Sequence, residues 1–253
     1  MARAGIPLLA VLIDADNSSA SWAEAIFEEI ASLGEASVRR IYGDFTNPHL
    51  KGWHGRLAPL ALVPHHSPAN TIGKNSSDIA LVIDAMDILH TGRFDGFVLI
   101  SSDSDFTRLA SRIREQGLDV YGIGQKKTPE AFRKACKRFI YVENLLAAPE
   151  ATGADTAETV GADAPKGAPR AEAAPKKEPA KNAIPLIVAA MRAIGGDEEW
   201  YSLGQIGQFI QQANPDFDAR TYGSAKLSDL IRKTGRFEVK QGSGNHLVVR
   251  DLA

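Results

Sequence analysis

Leu8-Leu-Ala-Val-Leu-Ile-Asp-Ala-Asp-Asn17 decides how the first half of the chain is read. Its apolar run has no polar alternation, which describes a strand buried on both faces, as in a parallel sheet. The run stops on two aspartates one residue apart, Asp14 and Asp16, with Asn17 behind them. A second run of the same kind, Phe97-Val-Leu-Ile100, leads through Ser101-Ser102 to Asp103 and Asp105. Both acidic pairs therefore fall at predicted carboxyl ends of strands, where open α/β sheets bind their ligands.

Outward from these two runs, strands and helices alternate. Residues 23–33 carry Ile26, Phe27, Ile30 and Leu33 at helical spacing, and Gly34 stops them. Residues 37–42 read as a second strand and 58–63 as a third, with Pro59 against the latter. Ile79, Val82, Ile83 and Met86 are spaced for the buried face of a helix over 77–90. Phe106, Leu109, Ala110 and Ile113 share the face of another, which Gly117 ends. Residues 118–123 form a strand, Thr128 caps a helix with Pro129 at its first position, and 139–142 form a last strand. The alternation predicts an α/β domain: a parallel sheet with helices on both faces.

The segment 147–181 is dominated by Ala, Pro, Gly, Glu and Lys and has no aromatic residue. It cannot bury enough surface to offset its ordering entropy and reads as a disordered linker. It divides the chain into 1–146 and 182–253. The second part predicts helices over 184–194, from a cap at Ser202 to the break at Asn214-Pro215, and over 222–234. Two short strands follow, joined at Gly242-Ser-Gly-Asn245. Three helices and a hairpin make a small winged-helix-like α+β domain. Net charge is -2, so nucleic-acid binding has to come from local patches. Cys136 is the only cysteine, which fits a reducing compartment. The N-terminal apolar run is too short for a membrane span. A cytoplasmic protein without a membrane partner is expected.

Asp78 lies in the first turn of the helix that follows Asn75-Ser-Ser77. If the first and fourth strands are neighbours, Asp14, Asp78, Asp103 and Asp105 converge. Carboxylates packed together raise one another's pKa, and a cation removes that cost. Mg²⁺ or Mn²⁺ suits such a site, as a hard ion that takes oxygen ligands and substrate phosphates. Each aspartate alone has an equally good bland reading, as a turn residue or helix cap. Two strands that each end in Asp-x-Asp are less well explained by caps. Asp16 is assigned outside the ligand set, and Asp44, Asp84 and Asp87 are assigned to solvent.

Three stretches carry a resemblance: Val11-Leu-Ile-Asp-Ala-Asp-Asn17, Lys74-Asn-Ser-Ser-Asp-Ile-Ala-Leu-Val-Ile-Asp84 and Val98-Leu-Ile-Ser-Ser-Asp-Ser-Asp-Phe106. With them, residues 11–143 resemble the NYN domain family, also called LabA-like or DUF88. The resemblance implies a PIN-like fold and a metal-dependent ribonuclease. It implies Asp14, Asp78, Asp103 and Asp105 as metal ligands, with Asn17 and Ser101 as polar site residues. Ser102 stands where members often carry glycine. Residues 184–252 resemble the OST-HTH/LOTUS domain through Leu186-Ile-Val-Ala-Ala-Met191, Trp200-Tyr-Ser-Leu-Gly-Gln-Ile206, Tyr222-Gly-Ser-Ala-Lys-Leu-Ser-Asp-Leu-Ile231 and Phe237-Glu-Val-Lys240. That resemblance implies a module for RNA or a protein partner.

RNA contacts are expected at Lys74 and Ser101, at Lys126 and Lys127, and along a basic stripe of Arg133, Lys134, Lys137 and Arg138 on one helix. In the second part they are expected at Tyr222, Lys226, Arg232, Lys233 and Arg236. That part holds eight basic and eight acidic residues, which leaves room for a protein-binding role. His65-His66 reads as a loop pair, and Trp53, Tyr42 and Cys136 as packing residues. Three functions are weighed: an endoribonuclease, a non-catalytic RNA-binding scaffold, and a haloacid-dehalogenase-like phosphatase with Asp14 as nucleophile. The last normally has Thr or Val where Ser18 stands. Self-association is left open.

Overall fold

The apolar run at the N-terminus becomes the middle of a six-stranded parallel sheet in the computed structural model, which describes residues 5–66, 76–146, 177–195, 199–242, 244 and 246–253. Leu8–Asp14 forms β1, Glu35–Gly43 β2, Val63–His66 β3, Gly96–Ile100 β4, Asp119–Gly124 β5 and Arg138–Tyr141 β6. They lie in the order β3-β2-β1-β4-β5-β6. The chain thus reverses its direction of travel between β1 and β4, where Ile13 pairs with Ile100. That junction opens a crevice at the carboxyl ends of the two strands.

Both faces of the sheet are covered. Leu9, Val11 and Ile13 pack with Ile26 and Ile30 of α1 (Ala23–Leu33) and Trp53 of α2 (Lys51–Leu57). Ala10 and Leu12 point the other way. They meet Leu81 and Ala85 of α3 (Ser76–His90), Leu109 and Ile113 of α4 (Thr107–Glu115), and Phe132 of α5 (Glu130–Ala135). Side chains alternate along a strand, so Asp14, two residues beyond Leu12, emerges on the α3 side. Val142–Leu146 (α6) closes this part.

Several local expectations are corrected. The third strand is not 58–63 but Val63–His66, and residues 51–57 form a helix that was not anticipated. Pro64 fits there because β3 is an edge strand, where one ladder bond fewer is tolerated. On α3 the expected apolar stripe is only half covered: Val82 and Met86 pack against the core, Ile79 and Ile83 are 61% and 56% exposed, and Leu81, Ala85 and Ile88 are buried. That helix is apolar almost all round, so periodicity alone did not fix the covered face. Asp78 heads the buried stripe at i, with Leu81 at i+3 and Ala85 at i+7. Helix α5 is capped at Pro129, not Thr128, and ends at Ala135. Lys137 and Arg138 therefore lie beyond it, and the basic stripe is not a single helix face.

The second part comprises α7 (Ile184–Ile194), α8 (Leu203–Ala213), α9 (Leu227–Thr234) and an antiparallel sheet of β7 (Tyr201–Ser202), β8 (Phe237–Gln241) and β9 (Leu247–Asp251), in the order β7-β9-β8. Ile187, Ile206, Ile210, Leu230, Ile231 and Val249 form its core. The third helix starts at Leu227 rather than 222. A 3-10 turn over Ala219–Tyr222 ends at Gly223 with φ 71°, a left-handed conformation that glycine reaches without strain. Tyr222 and Lys226 consequently do not share a helix face.

Gly122 lets β6 pack closely against β5. A Cβ there would stand 2.5 Å from Phe139 Cδ2 and 2.8 Å from Cys136 Sγ. Phe139 and Cys136 are themselves buried and cannot swing aside. Gly122→Ala is expected to destabilise the protein by about 1–3 kcal/mol. It should lower the urea midpoint with little change in slope. An unchanged midpoint would show that β6 moves away at no cost.

Candidate active site

The site is built outward from Asp14, the last residue of β1 and only 1% exposed. Its Oδ2 accepts from Ser101 Oγ at 2.7 Å and from Asn17 Nδ2 at 2.9 Å. Its Oδ1 accepts the main-chain N–H groups of Asp16 and Asn17, both at 3.2 Å. A carboxylate offers about four acceptor positions, so all are taken. Burial nevertheless pushes the pKa of Asp14 up; the donors from Ser101 and Asn17 pull against it, and the charge of Asp16 adds to the rise. Ser101 is a junction: its hydroxyl donates to Asp14 and accepts from the N–H of Asp103 at 3.0 Å. The end of β1 is thereby tied to the loop after β4.

Asp78 arrives from α3. Its pKa is raised from 3.8 to about 6, first by burial and then by the charges of Asp14, Asp103, Asp16 and Asp105 in that order. The charges of acids on the β1 loop and the β4 loop thus reach Asp78 on α3. Asp103 also caps the 3-10 turn Ser104–Phe106, accepting the N–H of Asp105 at 2.9 Å. Asp103 thus caps this turn, as the bland reading of a strand-end aspartate expects. Asp16 accepts from Ser77 Oγ at 3.0 Å. That bond ties the first turn of α3 to the loop after β1.

The donor set is all oxygen and fits a hard divalent ion. Among the described residues no three His, Cys, Asp or Glu side chains stand close enough to form a ready-made cage. The acids are near enough to repel and too far apart to chelate jointly. Mg²⁺ does not need a cage, because it keeps several waters and binds through one or two carboxylates. Since Asp14 is saturated, a cation would reach it by displacing a donor, and the exposed amide of Asn17 is the one nearest solvent.

A cleft of about 500 Å³ has Asp16, Asn17, His49, Trp53, Gln125 and Lys127 in its walls; of the acids only Asp16 lines it, and Asp14, Asp78, Asp103 and Asp105 do not. His49 and Gln125 carry no sequence signal that would have singled them out. Trp53 is 1% exposed and donates its indole N–H to Ser18 O at 3.2 Å, so it braces the loop. Tyr42 is fully buried and donates to Asp84 at 2.7 Å. Asp84 is not a solvated charge: it also accepts from Arg40 at 2.9 Å and lies 3.2 Å from Nδ1 of His65. His65 and His66 belong to β3 rather than to a loop.

The expected RNA contacts separate into groups. Lys127 lines the cleft, and the main-chain N–H of Lys126 is held by Glu143 at 2.9 Å. Both follow the carboxyl end of β5. Lys137 instead pairs with Asp119 at the amino end of β5, on the edge of the sheet away from the acids, at 2.6 Å. Lys134 pairs with Glu130 at 2.6 Å. Arg133 bonds Asp216 of the second part and the Tyr141 hydroxyl, so it is not a free phosphate contact. Tyr222 is half-buried, 5.9 Å ring to ring from Phe217, rather than offered for base stacking. Lys233 donates to Gly223 O at 3.2 Å, Arg232 to Asp229 at 3.4 Å, and Arg236 to Asp251 at 2.8 and 2.7 Å. Lys226 is exposed at the start of α9. Lys74 lies outside the described residues.

A family model described as NYN domain matches residues 8–145, and one described as OST-HTH/LOTUS domain matches residues 175–249. Among solved structures, the chain is similar to the crystal structure of a protein of unknown function from Vibrio parahaemolyticus, at 21% identity and TM-score 0.46. That match covers 55% of this chain and 94% of the other. It is also similar to the solution NMR structure of an uncharacterized protein from Nitrosomonas europaea, at 30% identity and TM-score 0.26, covering 37% of this chain and 93% of the other. No curated protein matches. No described helix is long and apolar enough to cross a membrane.

The raised pKa of Asp78 makes stability depend on pH. Its folded value lies above the ordinary 3.8, so the fold prefers the protonated acid. That preference is fully present below the unfolded pKa and is lost as pH rises through about 6. Asp78→Asn should therefore leave the metal-free protein unchanged near pH ~4 and raise its thermal midpoint by a few degrees near pH ~8. Melts across that range, with chelator present, make the check. A lower midpoint for the variant at the alkaline end would mean that Asp78 is not repelled by its neighbours.

Proposed function

Since the chain belongs to the NYN domain family, a PIN-like nuclease class, we propose that it is a metal-dependent endoribonuclease acting at the Asp14–Asp78–Asp103–Asp105 cluster. The observation that carries this reading is the state of Asp78, held up to about 6 first by burial and then by the charges of Asp14, Asp103, Asp16 and Asp105. A divalent ion beside these acids would relieve that cost. One or two of Asp78, Asp103 and Asp105, or Asp14 once Asn17 yields, would hold Mg²⁺ or Mn²⁺ directly, and the other acids would act through the waters it keeps. When bound, such an ion polarises a phosphodiester and lowers the pKa of the attacking water.

The chain's own residues supply the rest. Ser101 and the main-chain N–H groups of Asp16 and Asn17 fix the Asp14 carboxylate in place. Asn17, freed from Asp14, is placed to donate to a phosphate oxygen. Lys127 and His49 on the cleft wall offer cationic and hydrogen-bonding contacts to the backbone on either side of the cut. The OST-HTH/LOTUS module, of an RNA-binding class, adds affinity for the same strand or for a partner. A covalent phosphoaspartate at Asp14 is disfavoured, because both of its oxygens are engaged and the side chain is buried.

Wild type should cut labelled single-stranded RNA in Mn²⁺, and Asp103→Asn should lose at least about 100-fold in rate while still binding RNA. A circular RNA substrate tests internal cleavage directly. Equal cleavage by wild type and variant would end the assignment. RNA binding without turnover in any divalent ion would leave the scaffold reading standing in its place. Resistance of the circle alone would make the enzyme an exonuclease.

A further inference from the structure

A long linker leads one to expect a second domain that moves freely on its tether. The described residues on both sides of that linker are instead joined at several points. Edge strand β6 donates the N–H of Phe139 to Pro215 O at 2.8 Å, so the turn after α8 extends the ladder on its open side. Glu29 of α1, its side chain 13% exposed, accepts from Arg220 at 2.9 and 3.2 Å. Arg138 reaches the same carboxylate at 3.4 Å. Asp216 accepts from Arg133 and, at 2.6 Å, from the Tyr141 hydroxyl. Asn144 of α6 donates to Thr221 Oγ1 at 2.9 Å, with both residues buried.

These contacts are complementary in sign and in direction. An acid of the first domain takes an arginine of the second, and an acid of the second takes an arginine of the first. Such crossed charges fix the orientation of a contact more than they add affinity. The buried Asn144–Thr221 pair adds a penalty for leaving, since an unsatisfied buried amide costs free energy. Arg220 is also clamped by Asp218, at 2.7 to 3.1 Å, before it reaches Glu29, so little side-chain freedom is lost on docking. Thr221 holds both ends of the segment 147–176: Asn144 bonds its side chain, and the N–H of Glu178 bonds its carbonyl at 2.9 Å. Asn144 and Glu178, on either side of that segment, therefore meet at one residue, and docking is intramolecular at high effective concentration.

We propose that the β6 edge, with Glu29, Arg133 and Asn144 around it, is a docking surface whose occupant is residues 214–221 of the same chain, so that the two domains form one rigid body. This inference stands whether or not the acidic cluster is a nuclease. Amide ¹⁵N relaxation on the full chain tests it. The two domains should share one rotational correlation time. Glu29→Arg and Arg220→Glu should each give the smaller domain a shorter time than the larger. If either variant loses the amide dispersion of its own domain, Asn144→Ala takes its place and should shorten the time of the second domain alone. Separate correlation times in the wild type would overturn the proposal. So would single variants that keep the common time, or a shared time that lengthens with protein concentration, which would place the contact between chains.

Discussion

A carboxylate at the end of a central strand has to be kept soluble inside the protein, and Asp14 meets that constraint with four hydrogen-bond donors. Three of the four come from the loop that Asp14 itself begins, so the loop is shaped around the acid. The fourth, Ser101, follows the neighbouring strand β4 and carries the loop after it. Even so, burial outweighs the donors and the acid stays harder to ionise than in water. The other acids are therefore arranged around a group that is already short of compensation. The site is one network of loop geometry and charge rather than five independent side chains.

The parts of the fold that were legible in the sequence are those where one physical signal acts alone. The runs at β1 and β4 are apolar because both faces are covered, and their carboxyl ends carry acids because the strand order reverses there. The helix over 23–33 was readable to the residue, since its stripe is narrow and glycine follows it. Where signals competed, the reading went astray. Helix α3 presents apolar residues on nearly every side, and only the sheet decides which are covered. Residues 51–57 hold two glycines and a histidine, weak helix formers stabilised by the burial of Trp53.

Of the candidate site the sequence offered the acids, and not the lining of the cleft at Asp16 and Asn17. Aspartates at strand ends announce themselves by position, but His49 and Gln125 join the cleft only through the path of the loops that hold them. The basic residues were misleading for a related reason. Charge and spacing say nothing about which edge of the sheet a residue occupies or which domain it meets. Lys137 falls at the amino edge, and Arg133 meets an acid some eighty positions further along the chain. Long-range partners of that kind lie beyond any local window.

Thr221 gathers both borders of the segment 147–176 at one point, Asn144 on its hydroxyl and the N–H of Glu178 on its carbonyl. Severing the backbone anywhere within that stretch would release two fragments that still fit one another, as in a split protein reassembled from its halves. The same geometry frees the stretch to lengthen or shorten over evolutionary time without disturbing either globule, since neither is positioned by its reach.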